Sequence, residues 1–135
     1  MNINADKEIF VMASEPLVGY SADDFRKLCN GALSEAELAV LYAEAANKAD
    51  WLMHDLDDED ADVNTERVFR EWSAIEEELR GRIIAILEQE DPEKIRSQIA
   101  SRIGYYYIVK PFMLRNGFAD GNGWWIRNDK TRVTK

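Results

Sequence analysis

The chain reads as a mainly α protein, a bundle of four to five helices. A minor two-stranded antiparallel ribbon is expected to pair its N-terminal and C-terminal segments. Three observations predict this. Apolar residues recur every three or four positions over long stretches, the period of a helix face. Helix-start signatures stand at Ser21, Ser34 and Asp91. Two short β-type runs, Glu8 to Met12 and Trp124 to Ile126, lie near opposite ends of the chain. With 135 residues, 46% apolar and 32% charged, the chain suits one globular domain over 1–135, with 127–135 read as a frayed basic tail.

In order along the chain, Ile9 to Met12 form the first strand candidate, bounded by Pro16 and Gly19. Ser21 opens the first helix, with Asp24 at the capping-box offset. Phe25, Leu28 and Cys29 share a face, and Asn30-Gly31 closes the helix with Gly31 suited to the left-handed position. Ser34 and Glu37 form a full capping box for the second helix, whose stripe runs Leu38, Leu41, Tyr42, Ala45, Ala49, Leu52, Met53 and Leu56. An acidic connection, Asp55 to Asp62, leads to a third helix capped at Asn64 or Thr65. Its apolar face is Val68, Phe69, Trp72, Ile75, Leu79, Ile83, Ile86 and Leu87. Gly81 within it is read as a candidate site of close helix crossing.

Asp91-Pro92 starts the fourth helix. Ile95, Ile99 and Ile103 follow at spacing four, and Gly104 either ends or bends that helix. Tyr105 to Val109 is locally ambiguous, since its aromatic and β-branched residues favour strand while Ile99-Ile103-Tyr107 continues a helical stripe. The preferred reading is a helix kinked near Pro111 and ended at Asn116-Gly117. Asp120 to Gly123 is turn chemistry leading into the second strand candidate, which is expected to pair with Ile9 to Met12. The expected core includes Leu41, Leu52, Phe69, Trp72, Leu79, Ile83 and Ile99.

The net charge of −9 hides a split. Residues 1–93 hold 8 basic and 24 acidic side chains, a net of −16, whereas 94–135 hold 9 and 2, a net of +7. The acidic part opposes nucleic-acid binding in general, and the basic part suits a polyanion if it forms one exposed face. The alternative is that the basic segment packs on the acidic helices and neutralises them. A meeting of the two regions between molecules would give a homodimer.

Few residues suit catalysis. One cysteine excludes a disulfide framework and a cysteine zinc cluster, and one histidine excludes a histidine-rich metal site. Cys29 sits on an apolar face, and His54 lies near a helix end where the dipole favours its charged form. Read as a calcium loop from Asp55, the acidic connection places Asp57, Glu59 and Glu66 at ligand offsets. The fit fails at Asp60, which stands where the turn glycine belongs, and at Asp62, which replaces an apolar residue. The glycine-rich segment Asn116 to Gly123 lacks the residues of a phosphate loop. No catalytic, cofactor-binding or metal-ligating residue is therefore assigned.

The remaining reading is a non-enzymatic protein-binding module, an adaptor or inhibitor. One candidate interface is the acidic face of Asp55, Asp57, Asp58, Glu59, Asp60 and Asp62, dense enough in carboxylates to imitate a phosphate track and antagonise a nucleic-acid-binding protein. The other is a C-terminal face of Arg115, Trp124, Trp125 and Arg127, the residue types that dominate protein hot spots. Arg102, Lys110, Lys130 and Arg132, interleaved with Tyr105, Tyr106, Tyr107 and Phe112, support an alternative, nucleic-acid binding through 94–135. No apolar run reaches the roughly 20 residues of a membrane span, and Met1 to Lys7 lack a signal core, so a cytoplasmic, non-membrane protein is expected.

Overall fold

The computed structural model describes residues 21–56, 63–121 and 125–127. Among them the elements run α1 (Ala22–Cys29), α2 (Glu35–Leu56), α3 (Val63–Glu90), α4 (Pro92–Ala100), α5 (Tyr105–Arg115), β1 (Phe118–Asp120) and β2 (Trp125–Arg127). The all-α architecture with a small antiparallel ribbon is as the sequence predicts. The ribbon's strands are β1 and β2, with Ala119 opposite Ile126. The expected partner of β2, Ile9 to Met12, lies outside the described residues.

Local capping sets the helix starts. The Ser21 hydroxyl accepts from the Asp24 amide at 3.1 Å. Ser34 and Glu37 exchange both capping-box bonds, at 2.9 and 3.1 Å. Asp91 accepts from the Lys94 amide at 3.2 Å, with Pro92 in the first turn. Gly31 and Gly117 have φ of +92° and +90°, the left-handed geometry expected after α1 and α5. Arg82 also closes α1, donating to the Cys29 and Gly31 carbonyls at 3.0 and 3.3 Å.

Helix α2 packs along α3 and against β2, and α3 also meets α1, α4 and α5. Every residue from Leu38 to Ala45 is buried. The alanines make this feasible, because small side chains let neighbours approach from several sides. Trp72, Ile75, Leu79, Ile83 and Leu87 form the inner face of α3, and Trp72 packs its ring 5.0 Å from that of Phe25.

Two core expectations are corrected. Phe69 is only partly buried, and Ile99 is 45% exposed. Gly81 is not at a helix crossing, since a Cβ built there meets nothing within 4 Å. The close approach is instead at Gly121, where an added Cβ would lie 1.8 Å from the end of the Ile126 side chain.

Cys29 is buried, and burial pushes its thiol up to about 11. Its thiolate is therefore scarce at ordinary pH. A thiol-specific reagent is expected to label it slowly in the native protein and rapidly in denaturant. Equal rates in the two states would contradict this.

Candidate interaction surface

Helix α4 stops where the sequence left its end open. The Ile103 amide donates to the Gln98 carbonyl at 3.1 Å and the Arg102 amide to the Ile99 carbonyl at 3.0 Å. These two bonds form a Schellman end, and its left-handed position is filled by Arg102, at φ 59°. An L-residue there costs about 1–2 kcal/mol relative to the right-handed form, which glycine avoids. Arg102→Gly is expected to raise stability by about 0.5–1 kcal/mol, after allowing for the greater freedom of glycine in the unfolded chain. Urea denaturation measures it, and a loss of stability would refute the strain.

Gly104 then begins α5, and the chain turns a corner. Ile99, Arg102, Ile103, Gly104 and Tyr105 line a depression of about 320 Å³ at that corner. Helix α5 is apolar on two faces. Ile108, Val109, Phe112 and Met113 enter the core. On the opposite side Tyr107 is 62% exposed and Leu114 49% exposed, with exposed Pro111 between them. Ile99 and Ile103 are exposed as well, at the corner, so the outward apolar stripe of α5 has exposed apolar neighbours at the end of α4. Pro111 is tolerated there. It deprives the Tyr107 carbonyl of its helical donor, but both residues lie on the exposed face where water can reach that oxygen.

Two chains of contacts lead from α2 to the exposed tyrosines. In the first, the buried Tyr42 hydroxyl donates to Glu76 at 2.9 Å, and Arg80 donates to the same carboxylate at 3.1 Å. The Arg80 guanidinium lies 4.4 Å from the centre of the Tyr105 ring. In the second, the Asn47 amide of α2 donates to the Trp125 carbonyl and accepts from the Trp125 amide, both at 2.9 Å. The Trp125 ring stacks at 5.3 Å on Tyr106, which meets Tyr107 edge-on at 5.1 Å. Burial, with the Asp120 carboxylate beside it, pushes the Tyr106 phenol up to about 12, so that ring stays neutral. Tyr105 and Tyr107 are thus oriented before any partner arrives.

No protein-family model, curated protein or solved structure matches this chain.

The residues chosen from sequence fare differently. Trp125 is not a surface anchor, being 4% exposed and packed in the core, where it supports Tyr106. Arg115 is engaged within the molecule, donating to Glu35 at 2.7 Å and to Glu90 at 2.8 Å. Trp124, and the acidic run Asp57, Asp58, Glu59, Asp60 and Asp62, lie outside the described residues, as do the side chains of Asp55 and Arg127. Glu66, the last offset of the calcium-type loop, pairs with Arg70. Among the described residues no three His, Cys, Asp or Glu side chains converge as a metal site would require, and no helix is long and apolar enough to cross a membrane.

The sequence places Ile99 in the core and continues its spacing through Ile103 to Tyr107, whereas all three side chains are exposed. The signal for the other outcome was present. A helix with two apolar faces can bury only one of them against a single neighbouring layer.

Arg115 also sets a pH dependence. Its hydrogen bonds hold the Glu35 and Glu90 carboxyls below their ordinary value of 4.5. Carboxyls whose folded pKa is depressed stabilise the fold above the unfolded value, and that contribution is lost as pH falls through the folded value. Arg115→Met is therefore expected to destabilise the protein at neutral pH, with the difference from wild type shrinking below about pH 4.5. Urea midpoints across pH would measure this, and a difference independent of pH would refute it.

Proposed function

We propose that this chain is a non-enzymatic protein-binding module, an adaptor or inhibitor, that docks its partner on the outer stripe of α4 and α5. The observation that carries the reading is the second apolar face of α5, left in solvent beside two oriented tyrosines. Large exposed apolar patches mark interaction sites, and tyrosines held in place lose little entropy on binding. The reading places the protein in the cytoplasm, where a lone reduced cysteine is at home.

The stripe is better supported than the acidic face as the interface. The side chains of Asp55, Asp57, Asp58, Glu59, Asp60 and Asp62 lie outside the described residues, and on α3, which follows them, carboxylates pair with arginines, Arg70 with Glu66, Arg67 with Glu71 and Arg80 with Glu76. A phosphate-mimicking track needs unpaired carboxylates in a row. The nucleic-acid alternative keeps Tyr105, Tyr107, Arg102 and Lys110 but loses Phe112 and Trp125 to the core and Arg115 to its ion pairs.

The test is capture from lysate of the source cells with wild type, Ile103→Asp and the control Glu77→Ala. Glu77→Ala is at an exposed position and is expected to change stability by no more than about 0.5 kcal/mol, and circular dichroism checks that Ile103→Asp is folded before capture. Ile103→Asp is expected to lose the captured protein and Glu77→Ala to keep it. Capture unaffected by Ile103→Asp would overturn the reading. Salt-sensitive anisotropy with single-stranded oligonucleotides, lost in Ile103→Asp, would put the nucleic-acid alternative in its place.

A further inference from the structure

Resting on that reading, we infer that the partner presents an acidic segment carrying apolar anchor residues, and that Arg96, Arg102 and Lys110 receive its carboxylates. Most arginines of α1, α3 and α5 have an intramolecular carboxylate. Arg26, Arg67, Arg70, Arg80 and Arg115 each form an ion pair. Arg96, Arg102 and Lys110 form no ion pair with any other described residue, although the protein as a whole is acidic.

These three cations border the apolar stripe. Arg96 stands three residues before Ile99 in α4 and Lys110 three residues after Tyr107 in α5, the spacing at which helical neighbours meet, and the Lys110 ammonium lies 5.7 Å from the centre of the Tyr106 ring. Arg102 also lines the corner depression with Ile99, Ile103 and Tyr105. Glu76 and Glu77 are engaged by Arg80, whose guanidinium lies against the Tyr105 ring. The stripe therefore has an apolar floor and a positive rim, which suits carboxylates flanking an aliphatic or aromatic anchor.

The backbone of Arg102 is a second, independent pointer. A Schellman end accepts glycine without strain, yet here it carries a charged side chain at positive φ. Strain held at one position, with the side chain delivered to the rim of an open depression, marks that side chain as the functional element. Arg102→Gly would relieve the strain and remove the charge together.

Selection of random dodecapeptides displayed on phage against the immobilised full chain tests this. Peptides synthesised from the consensus are then titrated against wild type, Arg102→Glu, Arg96→Glu and Ile103→Asp. The expected consensus combines Asp or Glu with a Leu, Phe or Trp anchor. Its affinity is expected to fall at least about tenfold in Arg102→Glu and in Ile103→Asp, and to weaken with salt. A neutral or basic consensus that still depends on Ile103 would overturn the acidic chemistry and leave the docking surface standing. Selection yielding no Ile103-dependent peptide would overturn both. Binding of a single-stranded oligonucleotide at this stripe in place of any peptide would overturn the acidic partner outright.

Discussion

Trp125→Ala is expected to destabilise the fold by about 3–5 kcal/mol, the range for removing a buried large aromatic. The indole is 4% exposed and belongs to the main core cluster. It also stacks on Tyr106 at 5.3 Å, so the substitution leaves a cavity on the inner side of α5 and deprives that ring of its support. In a domain of this size the loss corresponds to a fall in melting temperature of roughly 10–20 °C. Urea denaturation followed by far-ultraviolet circular dichroism measures it without relying on tryptophan emission. An unchanged midpoint would return Trp125 to the surface role that its sequence neighbourhood suggests. If the fold survives, partner binding is also expected to fall, because Tyr106, which meets Tyr107 edge-on, loses the ring it stacks on.

The second large effect is at Asn47. Its side-chain amide satisfies both the amide and the carbonyl of Trp125, each at 2.9 Å, from within the core. Asparagine does this because one side chain carries a donor and an acceptor in the geometry of a peptide group. Asn47→Ala strands two buried backbone groups at about 1–3 kcal/mol each, an expected total of roughly 2–6 kcal/mol. Asn47→Asp separates the hydrogen-bond role from mere volume. Its carboxylate keeps an acceptor toward the Trp125 amide but has no donor for the carbonyl, and it is buried.

Burial raises the folded pKa of an aspartate above the unfolded value of about 3.9. The Asn47→Asp protein is then closest to wild type below that value, and its deficit grows as pH rises through the folded pKa. A deficit that is small and flat with pH would mean that Asn47 is not buried against Trp125 as described. Because both Asn47 hydrogen bonds are to Trp125 itself, the two residues' effects are expected to be less than additive in the double variant.

These two residues also mark where sequence reasoning stopped. What lay within four residues along the chain was legible. The Ser21, Ser34 and Asp91 caps, the glycines after α1 and α5, and the helical period of α2 and α3 all depend on neighbours in sequence. The chain alone therefore determined an all-α fold, the starts of α1, α2 and α4 and the place of a C-terminal strand, while Asn64 and Thr65, expected to cap the third helix, lie within α3.

Only the tertiary structure decided which apolar stripe was core. Helix α5 offered two, Ile108-Val109-Phe112-Met113 and Tyr107-Pro111-Leu114, and the left-handed turn at Arg102 sets how that helix leaves α4. A one-dimensional pattern counts apolar faces but does not rank them, because burial depends on what lies opposite. Trp125 shows the same dependence. Beside Trp124 and Arg127 its composition matched an exposed hot spot, yet an asparagine 78 positions away satisfies its backbone and allows the strand to be buried. The paired and unpaired cations were likewise indistinguishable as letters. Arg115 is separated from Glu35 by 80 positions and from Glu90 by 25, and only folding brings the three together. Local hydrogen bonds can be read from spacing, whereas burial and long-range pairing are properties of the packed chain.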